Sequence, residues 1–212
     1  MTNQYTPEKK HAEVIKLPAA RYQGGVSVEE ALLKRRSVRE YQHEPLSLAE
    51  VSQLLWAAQG ITGPHGIRTA PSAGALYPLE IYLVVGRVHE LPKGVYKYQP
   101  YGHELIRNGE ENQLPGLATA ALEQNFIREA AIAIVFSALY ERVTMKYGER
   151  GIRYVYMDLG HSAQNVHLQA VSLNLGTVVV GAFYDNEVKN IIGIPGEAQP
   201  LCIMPVGRIL QK

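Results

Sequence analysis

Tyr154-Val155-Tyr156-Met157-Asp158-Leu159-Gly160-His161-Ser162-Ala163-Gln164-Asn165-Val166-His167-Leu168-Gln169-Ala170 is the centre of a pattern that runs from about Gly151 to Leu175. Val155, Leu159, Ala163, Val166, Ala170 and Leu173 recur at helical intervals, and Gly176 stands just after the last of them, where glycine ends a helix without steric cost. The pattern predicts one long helix that forms the spine of the core. A different face carries His161, Asn165 and Gln169, one turn apart, with Gln164 beside them. Unpaired buried polar groups cost about 1–3 kcal/mol each, so this stripe must line a cavity, meet another subunit or find partners inside the core.

Strands flank that helix in sequence. Ala130 to Phe136 is an almost unbroken apolar run bounded by charges, as a central strand buried on both faces requires. Thr177 to Phe183 reads as another buried strand, with the small residues Gly181 and Ala182 near its end. Asp185 caps a short helix through Ile192, and Pro200 to Val206 is the last strand before Gly207-Arg208. Upstream, Leu79 to Val85 is a buried strand, Val95 to Tyr98 its partner across the turn at Pro92-Lys93-Gly94, and Glu111 to Leu122 is expected to be helical. Two helices come earlier, each opened by a serine with a glutamate three residues on. One runs from Ser27 to Arg35 or Arg36, the other from Ser47 to Gly60 with Leu46 and Val51 placed for a hydrophobic staple. Residues 1–26 are polar and irregular and form an extended arm that packs on something else. Residues 27–212 then make one α+β domain.

A chain of 212 residues can bury a sizeable core as a single domain. Its 21 Lys and Arg against 20 Asp and Glu leave no broad basic field, which makes nucleic acid and anionic membranes poor partners. No apolar run approaches the ~18–20 residues that cross a bilayer, and Met1-Thr2-Asn3-Gln4 lacks the features of a signal peptide, so the cytoplasm is the expected location. The single Cys202 lies in the apolar run Leu201 to Met204 and reads as a buried, inert thiol. Disulfide and zinc frameworks are excluded, and no metal site is expected.

Charge is instead concentrated locally. Lys34-Arg35-Arg36-Ser37-Val38-Arg39 places three arginines and a serine at the end of the first helix. A guanidinium presents a planar fork of donors that matches phosphate oxygens, and a hydroxyl adds one more. The same residues also suit a solvated helix end, where cations gain about 0.3–1 kcal/mol. A phosphorylated cofactor is the sharper reading.

Four segments, taken in order, resemble the FMN-dependent nitroreductase family, and more narrowly its SagB-type branch, whose members oxidise azolines to azoles. They are Arg35-Arg36-Ser37-Val38-Arg39, Pro71-Ser72-Ala73-Gly74-Ala75-Leu76-Tyr77-Pro78-Leu79-Glu80, Asp158-Leu159-Gly160-His161-Ser162-Ala163-Gln164-Asn165 and Pro205-Val206-Gly207-Arg208. The resemblance covers about Ser27 to Arg208. It implies a central antiparallel sheet of four or five strands flanked by helices, a homodimer with exchanged terminal segments, and an FMN at each dimer interface. It also implies that Arg35 and Ser37, with Arg36 beside them, hold the FMN phosphate together with Arg208, and that Arg39 faces the flavin pyrimidine. A fixed cation there stabilises the reduced, anionic flavin. The Pro71-Ser72-Ala73-Gly74 loop of the partner subunit would meet the ring edge, and the backbone of Gly181 and Ala182 would border N5. Ala75 and Tyr77 stand where the broader family carries asparagine and glutamine, a departure that matches the SagB branch.

Lys146-Tyr147 resembles the lysine and tyrosine that act at the substrate in azoline-oxidising members. Azoline oxidation sends a proton from carbon to a base and a hydride to flavin N5, so Tyr147 is the expected base and Lys146 the cation that favours its phenolate. The same residues also read as an exposed basic, aromatic loop before the long helix. The expected activity is hydride transfer between flavin N5 and a small organic or peptide-derived substrate. Three alternatives stay open: NAD(P)H-dependent reduction of nitro compounds or quinones, a non-catalytic flavin module of a biosynthetic complex, and a phosphate- or nucleotide-binding protein without flavin.

Overall fold

The computed structural model describes residues 13–210, so residues 1–12 of the expected arm lie outside it. At its centre β3 (Leu79–Val85) and β6 (Ile132–Ala138) pair antiparallel along their whole length, from Leu79 opposite Ala138 to Val85 opposite Ile132. Every residue of β6 is buried, which is why its sequence lacks polar alternation. Successive side chains still point to opposite faces. Leu79, Ile81, Leu83, Ile132, Ile134 and Phe136 fill one core, while Tyr82, Val84, Ala133 and Val135 fill the other.

Beyond β3 the sheet continues through β4 (Gly94–Gln99) and β5 (Glu104–Gly109) to β1 (Val14–Lys16). Beyond β6 lies β8 (Gln199–Ile209), whose far end carries both β2 (Tyr41–Gln42) and β7 (Leu175–Thr177). Among the described residues this is an eight-stranded sheet, antiparallel at every strand pair and larger than the four or five strands expected. One face is covered by α2 (Leu48–Gln59) and α6 (Arg150–Ser172), the other by α3 (Leu114–Ala120), α4 (Asn125–Glu129) and α7 (Asp185–Ile192). α1 (Val28–Lys34) packs on α6, and α5 (Glu141–Tyr147) leads into it.

The long helix is present, and Asn165 and Gln169 of its polar stripe find internal partners while His161 is exposed. Ser162 Oγ donates to the Ala58 carbonyl at 2.6 Å, Asn165 Nδ2 to the Thr69 carbonyl at 3.3 Å, and Gln169 Oε1 accepts from Gln53 Nε2 at 3.1 Å. These bonds tie α6 to α2 and the loop after it. α2 opens with the expected capping box between Ser47 and Glu50, whereas at Ser27 only the Glu30 amide bond forms and the Glu30 carboxylate takes Lys34 instead. Cys202 is buried and burial pushes its thiol up to about 12, which agrees with an inert role.

Several boundaries differ from expectation. α6 stops at Ser172, and Asn174 in the left-handed region (φ 56°) turns the chain into β7, so Leu175 and Gly176 belong to a strand. Gly176 serves close packing there, since a Cβ would lie 2.6 Å from Val38 Cγ1. The run Thr177 to Phe183 is not one buried strand: Val180 makes a lone bridge to Ile203, and Val179, Gly181 and Ala182 are exposed. β5, α4 and α5 are additional to the elements that the sequence predicts. In the arm, Val14–Lys16 pairs with β5 and Leu17 enters the core, so this part packs on its own chain.

Candidate active site

The basic cluster begins where α1 ends. Arg36 Nη1 turns back to the carbonyls of Leu33 (2.9 Å) and Arg35 (2.8 Å), satisfying the helix end as the simpler reading required. Ser37 lies beside Thr177 of β7, held by the Val38 amide donating to the Thr177 carbonyl at 3.0 Å. Among the described residues the Ser37 hydroxyl bonds no other residue, and the buried Thr177 Oγ1 has no partner. Arg35 and Arg39 form no ion pair among the described residues; Arg39 lies over the Phe126 ring at 5.9 Å. His167 beside Arg35 is driven down to about 4, first by burial and then by the Arg35 charge, and is therefore neutral. A cavity of about 740 Å³ opens here, lined by Lys34, Arg36, Ser37 and Arg39 with Asn174 and Leu210.

Arg208, the remaining expected donor, is paired within the chain. Its Nη1 and Nη2 each donate to the Glu50 carboxylate at 3.0 Å, and Nε pairs with Glu44 at 3.5 Å. Burial works to raise Glu50, but the Ser47 amide and Arg208 outweigh it and hold the carboxyl below its ordinary range. Arg208 is thus an internal tie between β8 and α2. Gly181 and Ala182 are open, with nothing within 4 Å of a Cβ built on Gly181, and the Ala182 carbonyl accepts from Gln124 Nε2 at 3.1 Å. Gln124 precedes the helix bearing Phe126, so Arg39 and this exposed backbone both border α4.

The second group of residues gathers at the Pro71–Gly74 loop. Ser72 Oγ donates to Asp158 Oδ2 on α6 and accepts the Tyr77 amide at 2.9 Å, so its side chain organises the loop. Burial raises the Asp158 carboxyl, and the bonds from Ser72 and the Ala73 backbone only partly offset that. Gly74, Ala75 and Tyr77 all have left-handed backbone (φ 62°, 54° and 46°), strain that costs about 1–3 kcal/mol per non-glycine residue and gathers at working sites. Against this bend the end of α5 brings Lys146 and Tyr147. A Cβ on Gly74 would lie 2.8 Å from Tyr147 Oη and 3.0 Å from Lys146 Nζ. Lys146 Nζ stands 5.4 Å from the Tyr147 ring centroid, and Tyr154 of α6 packs edge-on against Tyr147 at 5.1 Å.

Lys146, Tyr147 and Gly74 therefore come together within one chain, and the segment read as a loop is a helix end. No hydrogen bond or ion pair among the described residues joins them to the Arg35–Arg39 cluster. The sequence assigns no role to Asp158, whose bond runs to Ser72, 86 residues earlier, or to Tyr154, which packs on Tyr147 across the turn between α5 and α6. The donor chemistry at the cavity fits a phosphorylated group, since the Ser37 hydroxyl and the Arg39 guanidinium line it without a hydrogen-bond or ion-pair partner among the described residues; Arg35 and the exposed Gly181-Ala182 backbone lie outside its lining. Arg208 is already engaged by Glu50, and Arg36 Nη1 by the carbonyls at the end of α1.

Residues 32–208 match the nitroreductase family, and the chain belongs to that family. It is accordingly an oxidoreductase, of a family whose members use FMN. It is 53% identical to MJ1384 of Methanocaldococcus jannaschii, a protein named for nitroreductases, over 88% of this chain and 93% of that one. It is 27% identical to the microcin B17-processing protein McbC of Escherichia coli over 70% of this chain and 57% of McbC. A nitroreductase-like crystal structure from Anabaena variabilis superposes with a TM-score of 0.82 at 30% identity, covering 94% of this chain and 42% of that longer one.

Proposed function

We propose that this chain is an FMN-dependent dehydrogenase of SagB type that oxidises an azoline ring in a small or peptide-derived substrate, acting in the cytoplasm as a homodimer with FMN at each interface. The observation that carries this reading is the meeting of Tyr147 Oη and Lys146 Nζ at Gly74. The likeness to McbC supports a peptide-derived substrate. Residues 27–212 would form the FMN-binding domain and residues 1–26 an arm.

Bound FMN would supply a hydride acceptor. Arg35 and Ser37, with Arg36 beside them, would hold its phosphate. Arg39, without a carboxylate partner among the described residues, would serve the pyrimidine, and the Gly181-Ala182 backbone would serve the ring. Pro71, Ser72, Ala73 and Gly74 of the partner subunit would complete the site. Tyr147 of the subunit that supplies this loop, beside its own Gly74, would take the proton from the substrate carbon, and Lys146 of that subunit would stabilise the phenolate. Gly74 leaves both polar groups room that a side chain would fill. Arg208, paired with Glu50 in the ligand-free chain, would join Arg35 and Ser37 at the phosphate.

A second reading, reduction of nitro compounds or quinones at the expense of NAD(P)H, is favoured by the identity to MJ1384. Tyr147→Phe separates the two. The variant should keep its flavin and lose azoline oxidation by about 10²–10⁴-fold, the usual worth of a positioned base. Unchanged azoline turnover in Tyr147→Phe would remove the assignment.

A further inference from the structure

On the other side of the strained loop lies a cavity of about 360 Å³, lined by Arg68, Tyr77, Glu80, Tyr98, Tyr101 and Arg142. Its charges do not balance. Glu80 is shared between Lys97 and Arg142. Arg68 has no carboxylate partner among the described residues: Nη1 donates to Gln59 Oε1 at 2.8 Å, the guanidinium stacks on Tyr77 at 4.5 Å, and the buried Nε has no acceptor. Burial pulls the Arg68 pKa below its ordinary value, as desolvation of an uncompensated cation should. A buried guanidinium with an idle donor is costly unless an anion completes it, and its planar fork matches a carboxylate.

Position ties this cavity to the proposed reaction centre. Ala75, Leu76 and Tyr77 line it directly after Gly74, and Arg142 holds the Tyr77 carbonyl at 3.1 Å. Arg142 stands one turn before Lys146 on α5, about 6 Å along the helix. We propose that Arg68, supported by Arg142, binds a carboxylate of the substrate borne outside the reacting ring, such as the C-terminus of a short peptide, between the walls of Tyr77, Tyr98 and Tyr101. This rests on the dehydrogenase reading for its substrate, but the binding itself does not.

The test is calorimetric titration of the FMN-loaded protein with hippurate and with its uncharged amide, hippuramide. Wild type should bind hippurate at least about tenfold more tightly, the worth of one charge-assisted pair, and Arg68→Gln should erase that preference. Equal binding of acid and amide by wild type, or a preference that survives Arg68→Gln, overturns the proposal. Should Arg68→Gln not fold, Glu80→Gln decides: removing the competing carboxylate must tighten hippurate, and unchanged or weaker binding overturns it. Selective hippurate binding through Arg68 with no oxidation of a thiazoline-carbonyl-glycine would leave the carboxylate site standing and refute the dehydrogenase reading.

Discussion

Gly74 concentrates two constraints on one atom. Its φ of 62° strains any L side chain, and a Cβ would press on Tyr147 Oη and Lys146 Nζ. Gly74→Ala should therefore cut azoline oxidation at least about tenfold, more than it lowers flavin occupancy, as steady-state rates and flavin absorbance will show. Asp158 anchors the same bend through Ser72. Asp158→Ala strands the Ser72 hydroxyl at a cost of about 1–3 kcal/mol, whereas Asp158→Asn keeps an accepting oxygen and removes a charge that burial disfavours, so thermal melting should separate the two sharply. His167 supplies a pH dependence. Its pKa falls from 6.5 to about 4 on folding, so between those values the unfolded chain binds the extra proton and stability drops as pH falls. Melting curves from pH 7 to pH 4 should show that slope, flattened in His167→Gln.

Elements with long apolar patterns were legible in the sequence, and those held by distant partners were not. β3, β6 and α6 announce themselves because each buries most of its length on a face fixed by its period. α5 buries only Val143 of its seven residues, so nothing periodic marks it and Lys146-Tyr147 reads as a loop. The apolar run after Thr177 misleads for the opposite reason: Val178 and Val180 enter the second core without a strand partner along their length. The motif around Arg208 is plain in the sequence, but its tie to Glu50, 158 residues earlier, is not. At this scale the capping box of α2 is the firmest local prediction. Ser47→Ala should lower stability by about 1 kcal/mol in chemical denaturation, and the loss should grow if Glu50 loosens from Arg208.

The described residues leave apolar surface on two helices, which the proposed homodimer would cover. On α1, Val28, Leu32 and Leu33 are 64%, 54% and 73% exposed, and on α6 Tyr156 and Met157 are exposed as well. A homodimer that buries α1 should fall apart in Leu33→Glu, with loss of flavin alongside the monomer peak in light scattering. The family was legible from four short motifs, because they lie in sequence order at the end of α1, the loop before β3, the long helix α6 and the end of β8. The central claim, that a substrate azoline reduces the flavin with Tyr147 as base, is met most directly by anaerobic stopped-flow absorbance of the FMN-loaded protein. Mixed with a thiazoline peptide, wild type should bleach the flavin bands and form thiazole while Tyr147→Phe stays oxidised. Bleaching by NADPH with no response to the thiazoline would contradict it.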